Sequence, residues 1–353
     1  MSKLTKLRQA LEAKKLDGIL ISSGINRRYM TGFTGTAGVA LISLTDARFI
    51  TDFRYTNQAN EQIADFTVVE HKQGLNEEIK QQLKNMGIKK LGFEQDHVTY
   101  SEYTTFNDTF EVELIPVNNM VESLRIFKTN DELAIMKKAA KIADDAFDHI
   151  QSYIKPGVRE IDISNELEFF MRKQGATSSS FDIIVASGYR SALPHGVASN
   201  KKIQSGELVT MDYGALYQGY CSDITRTVAV GEINDQLHSI YHIVLEAQLR
   251  GVTAIKPGVT GKEADAATRD YIKENGYGEF FGHSTGHGLG MEVHEAPSLS
   301  FKSEKPLEKG MVVTVEPGIY IPEVGGCRIE DDVVLTETGN ERLTLAPKEL
   351  IQL

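Results

Sequence analysis

Short apolar runs alternate with amphipathic stretches through the first third of the chain. Leu4, Leu7, Leu11 and Leu16 predict an amphipathic first helix, and a second helical pattern runs from Leu75 to Met86. Runs with strand character lie at residues 18–21, 39–42, 48–51, 66–70, 90–93 and 112–117. This alternation predicts a compact mixed α/β domain over residues 1–125, and no chemical motif stands out within it.

A long amphipathic helix is predicted to open a second domain, residues 126–353. Asn130 is a suitable N-cap, and Asp131 and Glu132 place acids in the first turn, where the helix dipole favours them. Apolar residues then recur every three or four positions as far as Ile150. The domain boundary is therefore expected just before this helix.

The second domain contains an internal repeat. Ile-Lys-Pro-Gly-Val at residues 154–158 returns at residues 255–259, about a hundred residues further on, and each copy lies between two helical patterns. The run 209–214 likewise resembles 313–318. Because a common turn sequence would explain only the first match, we predict two similar α-α-β halves related by pseudo-twofold symmetry.

Two pairs of acidic residues occupy matching places in these halves. Asp212 ends an apolar run and Asp223 follows a turn marked by glycines, which predicts a hairpin that brings the two carboxylates together. The repeat sets Glu316 and Glu330 opposite them. Carboxylates that face one another away from water repel, so a shared proton, a basic partner or a metal must compensate them. Four such groups converging on a pseudo-twofold axis favour two divalent cations.

A glycine-rich stretch, residues 282–297, supplies His283, His287 and His294, and a fourth histidine, His195, lies in a turn-like loop. Glycine lets backbone and imidazole approach a crowded centre closely. The stretch is neither a zinc-finger pattern nor the helical His-Glu-x-x-His motif. Each feature alone is more often a solvated charge or a structural histidine, but together they indicate a dinuclear site. Oxygen ligands with one imidazole suit Mn, Co, Fe or Zn better than Mg.

Composition narrows the class of protein further. A chain of 353 residues is long for one core, and its net charge of −11, from 49 acidic and 38 basic residues, argues against nucleic acid or anionic membranes as partners. No apolar run approaches the roughly 18 residues of a membrane span, and the N-terminus does not resemble a signal peptide. With only two cysteines, Cys221 and Cys327, we expect a reducing, cytoplasmic compartment and no thiolate ligand.

The region 126–353 resembles the pita-bread metallopeptidases, which include aminopeptidase P, Xaa-Pro dipeptidase (prolidase) and methionine aminopeptidase. Residues 1–125 resemble, less specifically, the N-terminal domain of the creatinase, prolidase and aminopeptidase P branch. The resemblance implies an α/β (α+β) fold with a creatinase-like domain before a pita-bread domain, and a homodimer. All five ligand positions of such enzymes have a match in this chain, at Asp212, Asp223, His287, Glu316 and Glu330.

The resemblance also implies a division of labour among these ligands. Asp212 would chelate one metal ion, Asp223 and Glu330 would bridge both ions, and His287 and Glu316 would hold the second. The expected cofactor is two divalent ions, with Mn first and Co, Zn and Fe as alternatives.

Catalytic roles follow from the same resemblance. His195, His283 and His294 match histidines that surround the metals, and Arg328 matches an arginine that supports the bridging acids. We expect hydrolysis of the bond before proline in small peptides that carry proline second. Glu316 would take and return the proton, while His294 and His195 would stabilise the oxyanion or the leaving nitrogen.

Substrate contacts are expected at an apolar slot for the proline ring, for which the candidates are Phe181, Tyr320, His195 and His294. For Phe181, packing in the hydrophobic core is an alternative to contact with the proline ring. A dipeptidase also needs a cation for the terminal carboxylate of its substrate. Ser298 stands where some dipeptidases of the family carry an arginine, which argues against strict dipeptidase action, and Arg190 is the candidate substitute.

Three other functions are weighed against this prediction. A methionine aminopeptidase would not need a domain of this size in front of the catalytic one. A creatinase works without the full metal ligand set, whereas all five ligands are present here. A non-catalytic, peptide-binding scaffold with a peptidase fold should have lost metal-ligand residues, and none is missing here.

Overall fold

The structure is a computed structural model that describes residues 1–353. The chain divides into two compact units, Met1–Arg125 and Ile126–Leu353. None of the helices combines the length and the apolar composition that a membrane span needs.

The first unit is built on one mixed sheet. Its elements in chain order are α1 Lys3–Ala13, β1 Gly18–Ile21, α2 Gly24–Thr31, β2 Val39–Ser43, β3 Ala47–Thr51, α3 Thr56–Gln62, β4 Thr67–Glu70, α4 Leu75–Asn85, β5 Lys90–Glu94, α5 Tyr100–Thr109, β6 Glu113–Val117 and α6 Glu122–Arg125. The strands lie in the order β4-β3-β2-β1-β5-β6. β1, β2 and β3 pair antiparallel, whereas β4, β5 and β6 join in parallel. The predicted mixed α/β character is confirmed.

The second unit contains the remaining elements. They are α7 Asn130–Ile150, α8 Glu160–Lys173, β7 Ser178–Ser179, β8 Ile184–Ser187, β9 Glu207–Tyr213, β10 Ala215–Tyr217, β11 Tyr220–Cys221, β12 Ile224–Val230, α9 Asp235–Ala254, α10 Gly261–Glu274, β13 Gly286–Gly288, β14 Glu295–Leu299, β15 Val312–Val315, β16 Gly318–Ile321, β17 Gly325–Arg328, β18 Asp331–Leu335 and β19 Asn340–Arg342. Single 3₁₀ turns cover Gly188–Ala192 and Gly278–Phe280.

The predicted α-α-β repeat is present in the strand order of this unit. After α7 and α8, the strands β8, β9 and β12 pair in that order, and after α9 and α10 the strands β13, β15 and β18 do the same. All of these pairings are antiparallel. Each half therefore presents a hairpin backed by two helices.

The register of the two hairpins shows that the repeat is imperfect. Asp212 pairs with Thr225 between β9 and β12, and the last pair is Tyr213 with Ile224. In the second half Val315 pairs with Asp331, which sets the next residues, Glu316 and Glu330, opposite each other. The predicted match of Asp223 with Glu330 is therefore only approximate. A small hairpin separates the two acids in each half, but β10–β11 in the first half is shorter than β16–β17 in the second, so the second acids take different positions along their strands.

The packing of α7 and α8 decides which way β9 turns its side chains. Met211 and Tyr213 lie in a core cluster with Phe147 and Leu167 from these helices, and the Tyr213 hydroxyl donates to the Ala143 carbonyl at 3.0 Å. Neighbouring residues of a strand point to opposite faces, so Asp212 turns away from this core. In β15, Val313 and Val315 are likewise in a core cluster. Glu316 consequently follows Thr314 onto the opposite face.

The start of α7 differs by one residue from the predicted one. Thr129, not Asn130, is the N-cap, and its hydroxyl accepts the Glu132 N–H at 3.3 Å. The Glu132 carboxylate in turn accepts the Thr129 N–H at 2.8 Å. This reciprocal capping box satisfies two backbone donors that the first turn leaves without partners, which gives Thr129 the advantage over Asn130.

We expect Thr129→Ala to lower the free energy of unfolding by about 1 kcal/mol, because the capping hydroxyl is lost. Asn130→Ala is the matched control and should be nearly neutral. Urea titration followed by circular dichroism measures both. Equal losses in the two variants would show that the cap is not at Thr129.

Candidate metal centre

A cavity of about 560 Å³ opens in the second unit where the two hairpins meet. Its buried floor holds acidic residues from both halves, and its walls include Phe181, Ile184, Val197 and Val293. The predicted polar and charged residues that line it are Asp212, Asp223, Glu316, Glu330, His195, His283, His287, His294 and Arg328. The structure therefore brings together ten of the twelve residues that the sequence singled out.

The first hairpin holds its two acids on one face. Asp212 lies in β9 opposite Thr225, and Asp223 precedes Thr225 by two residues, which gives all three the same side of the pleat. The Asp223 N–H donates to the Asp332 carboxylate at 2.9 Å. Asp212 and Asp223 are 9% and 4% exposed, so both carboxylates are largely removed from water.

The second hairpin supplies Glu316 and Glu330 beside them. The Thr225 hydroxyl of the first hairpin donates to Glu330 at 2.6 Å, which links the two halves directly. The Thr314 hydroxyl donates to Glu316 at 3.3 Å. These two threonines and Asp332 were not predicted. For Thr225 the signal was available, since it stands two residues after Asp223 on a strand and must share its face.

His287 on β13 reaches the same group of acids. Its Nδ1 lies 3.1 Å from the Gly288 carbonyl, which places the ring proton there and leaves Nε2 as the acceptor. Nε2 lies 3.4 Å from a Glu316 oxygen and 3.8 Å from an Asp223 oxygen. A Cβ on Gly286 would lie 2.0 Å from the Thr314 carbonyl oxygen, so the close approach needs glycine.

The donors present fit a divalent cation. Asp223, His287 and Glu330 each offer one ligand atom, and these atoms lie within 4.8 Å of one another. Two buried carboxylate oxygens, Oδ1 of Asp212 and Oδ1 of Asp223, have no hydrogen-bond partner. A buried carboxylate oxygen without a partner is unfavourable, and a bound cation removes that cost. Carboxylate oxygens with one imidazole are also a common ligand set for Mn, Fe, Co and Zn.

The protonation equilibria of these groups reflect burial and mutual repulsion. Burial, reinforced by neighbouring acids, raises the pKa of Asp223 and of Glu330 well above the usual carboxyl range. Burial also raises the pKa of Glu316 to about 8, although Arg328 acts in the opposite direction. Burial lowers the pKa of His287 to about 4, so its imidazole is neutral at pH 7 and available as a ligand.

Arg328 is the one cation that lines the cavity, and its donors are already in use. One terminal nitrogen donates to Asp212 at 2.5 Å, and Nε donates to the Thr225 hydroxyl at 3.1 Å. The other terminal nitrogen donates to the Tyr320 hydroxyl at 2.8 Å and to the Pro194 carbonyl at 3.1 Å. Arg328 is 3% exposed and so holds Asp212 and Thr225 in a fixed geometry.

Tyr320 and Arg190 do not line the cavity. The Tyr320 hydroxyl lies behind it, between Arg328 and Nε2 of His283 at 2.7 Å. Because His283 Nδ1 faces the Ser284 carbonyl at 2.8 Å, Nε2 is left to accept from Tyr320. Arg190 forms an ion pair with the buried Glu160 and donates to the Val197 carbonyl at 2.8 Å. Its predicted role toward a substrate carboxylate would require both contacts to break.

The other predicted residues outside the ligand set lie at the walls or the mouth. Phe181 is half-buried and lines the cavity, whereas His195 and His294 are exposed at its mouth. The ring of His294 packs edge-on against that of His287, with centroids 4.4 Å apart.

The family of the chain follows from comparison with known proteins. Residues 134–337 match metallopeptidase family M24, and residues 3–127 match the creatinase/prolidase N-terminal domain. The chain therefore belongs to metallopeptidase family M24, and it is a metallopeptidase. Family membership implies divalent metal ions, in agreement with the cluster of Asp223, His287 and Glu330.

Individual relatives are similar over nearly the whole length. A Xaa-Pro dipeptidase structure from Bacillus anthracis is 62% identical with a TM-score of 0.98, each chain covering 99% of the other. The Xaa-Pro dipeptidase of Pyrococcus furiosus is 43% identical over 99% of both chains. An X-Pro aminopeptidase structure from Thermotoga maritima is 42% identical with a TM-score of 0.92, and the match covers 98% of this chain and 100% of that one.

We expect the metal-free protein to lose stability as pH rises from 6.5 to 8. Folded Glu316 still holds a proton up to about pH 8 that the unfolded chain, with a carboxyl pKa of 4.5, has already released. His287 opposes this trend only in part, because at pH 6.5 its imidazole is already neutral in the folded state and half neutral in the unfolded chain, where its pKa is 6.5. The melting temperature of the chelator-treated protein at the two pH values measures the effect.

Glu316→Gln is the matched variant for this measurement. It keeps the size of the side chain and removes the titrating group, so its melting temperature should fall less between pH 6.5 and 8. A metal-free protein whose stability rises over this range would contradict the assignment.

Proposed function

We propose that this chain is a dinuclear, metal-dependent exopeptidase that hydrolyses the bond between an N-terminal residue and proline. One observation carries the proposal. Four carboxylates and His287 converge on a single cavity, and two of the buried carboxylate oxygens have no partner. The names of the relatives, Xaa-Pro dipeptidase and X-Pro aminopeptidase, support the choice of substrate.

The proposed metal ligands are Asp212, Asp223, His287, Glu316 and Glu330. Two divalent ions would balance the four carboxylates, with Mn the first choice and Co, Zn and Fe as alternatives. When bound, such ions supply a nucleophilic water near neutral pH and polarise the scissile carbonyl. Arg328 would keep Asp212 in place as a ligand whether or not substrate is present.

The protein's own groups would then handle the protons and the developing charge. Glu316 is the candidate to take a proton at its carboxylate and return it to the leaving nitrogen. His294 and His195 lie at the cavity mouth, where a ring N–H can donate to the oxyanion or the leaving nitrogen. Tyr320 would fix the orientation of His283 through its hydroxyl.

Substrate selection would follow from the contrast between floor and walls. The free α-amino group of a substrate would sit against the metal-filled floor, which would restrict cleavage to the N-terminal residue. The apolar side chains of Phe181, Ile184 and Val293 offer a slot for the proline ring. The scissile nitrogen is that of proline and carries no hydrogen in the peptide. The site therefore needs no hydrogen-bond acceptor for this nitrogen until it is protonated as the leaving group.

The charges at the mouth bear on the permitted peptide length. Apart from Arg328, whose donors are committed, no lysine or arginine lines the cavity. Ser298 and the exposed Asp182 lie there instead, and Asp182 would repel a terminal carboxylate. We therefore propose that peptides with a residue after proline are accepted at least as well as dipeptides.

A panel of peptides tests this function. With Mn added, Xaa-Pro-Yaa tripeptides and Xaa-Pro amides should be cleaved with kcat/KM equal to or above that of Xaa-Pro dipeptides. Peptides with alanine in place of proline should be poor substrates. Rapid cleavage of the alanine peptides would contradict the proline preference, and a strong preference for free dipeptides would contradict the length proposal alone.

Substitutions separate catalysis from metal binding. His294→Ala should lower kcat by about 100-fold or more while metal content stays unchanged, because a proton donor is lost. Asp212→Asn and Glu330→Gln should abolish turnover and also lower metal occupancy, because each removes a ligand charge. Kinetics with elemental analysis of the same samples measures both. Near-normal turnover in a metal-replete Asp212→Asn protein would refute the ligand assignment.

A further inference from the structure

The segment that carries His294 is held from behind by a buried ion pair. Nζ of Lys128 lies 3.3 Å from Oε2 of Glu295, and the two side chains are 2% and 4% exposed. The partners are 167 residues apart in the chain. Two charges removed from water at this depth need compensation, and this ion pair supplies part of it to each.

The Glu295 carboxylate also closes the loop before it. Its Oε1 accepts the N–H of Glu292 at 3.1 Å, and the Glu292 carbonyl accepts the N–H of Gly290 at 3.1 Å. A Cβ on Gly290 would lie 2.5 Å from the carboxylate, so the carboxylate fills the space that this glycine leaves. The Gly290 carbonyl accepts the N–H of Cys221 at 2.8 Å, which ties the loop to the hairpin that carries Asp223.

His294 and Glu295 are adjacent in the chain, and their side chains point to opposite sides of this segment. Glu295 starts β14 and pairs with Gly288, just after the bulge at His287. His294 lines the cavity and packs against the His287 ring, whereas the Glu295 side chain is buried on Lys128. A shift of Glu295 would therefore move the backbone of His294 directly.

Lys128 is itself fixed to the second hairpin. Its N–H donates to the Gly310 carbonyl at 2.8 Å, and its Nζ also donates to the Ile126 carbonyl at 3.3 Å. Gly310 stands two residues before β15, the strand that leads to Glu316. The ion pair thus connects the support of Glu316 with the segment that carries His294.

We propose that Lys128 and Glu295 are positioning residues that hold the His294 imidazole over the reacting bond. Neither side chain lines the cavity, so both act through His294. The inference rests on the proposed role of His294 in peptide hydrolysis. It predicts that the pair matters for turnover more than for substrate binding or metal content.

A double-mutant cycle tests the inference. Lys128→Met should lower kcat about tenfold, with KM within about twofold and metal content unchanged, as expected when the support of a functional histidine is loosened. In the His294→Ala background the same change should have no further effect on kcat. Lys128→Arg, which keeps the charge, should restore most of the turnover. Lys137→Met, which breaks the exposed pair with Glu341, is the matched control and should leave kcat unchanged.

Glu295→Gln provides the same cycle from the other partner if Lys128→Met folds poorly. Equal losses of kcat in the wild-type and His294→Ala backgrounds would overturn the inference, as would a lowered melting temperature with normal kcat. These outcomes leave the proposed peptidase function intact. A His294→Ala protein with normal kcat on Xaa-Pro peptides would instead contradict the role of His294 on which the inference rests.

Discussion

Mutual repulsion among buried carboxylates is the constraint on which the catalytic unit depends. Asp212, Asp223, Glu316 and Glu330 surround one cavity, and Arg328 is the only lining residue with a permanent positive charge. Without further compensation, some of these acids must keep protons at neutral pH, which is the physical meaning of their raised pKa values. Divalent cations offer the other resolution, and the unpaired oxygens of Asp212 and Asp223 are the places where the polypeptide leaves room for it.

Apolar packing on the opposite faces of the strands stabilises this unfavourable arrangement. Met211 and Tyr213 bind β9 to the helices behind it, and Val313 and Val315 do the same for β15. The direction of the acidic side chains follows from strand alternation, since each lies on the face opposite the apolar core. Thr225 then joins the two halves by donating to Glu330 across the pseudo-twofold axis. The stability of the centre is thus supplied by residues that never meet a substrate.

Much of the site was predictable because its signals are local or repeated. The strand ending at Asp212 and the glycine-rich stretch around His287 carry their patterns in adjacent residues, and the repeat pointed to Glu316 and Glu330. The failures concern long-range geometry. The register that pairs Asp212 with Thr225 does not follow from the repeat, because the β10–β11 hairpin is shorter than its counterpart β16–β17 in the second half.

The remaining differences have similar causes. Arg190 has the right charge, but the buried acid that holds it, Glu160, is 30 residues away in the chain. The short helices α2, α3 and α5 were not predicted because few of their residues form a continuous apolar stripe. In α5 only Phe106 is buried, and the helix relies on a capping box at Thr99 instead. The buried pair of Lys128 and Glu295 has no sequence signal, since only tertiary contact brings the two charges together.

The number of metal ions per chain tests the central proposal most directly. Purified protein stripped with chelator and then dialysed against Mn can be measured by elemental analysis and calorimetric titration. We expect two ions per chain in the wild-type protein and fewer in Glu330→Gln, because that carboxylate is assigned to both ions. A fully active protein that binds one ion or none would contradict the dinuclear centre.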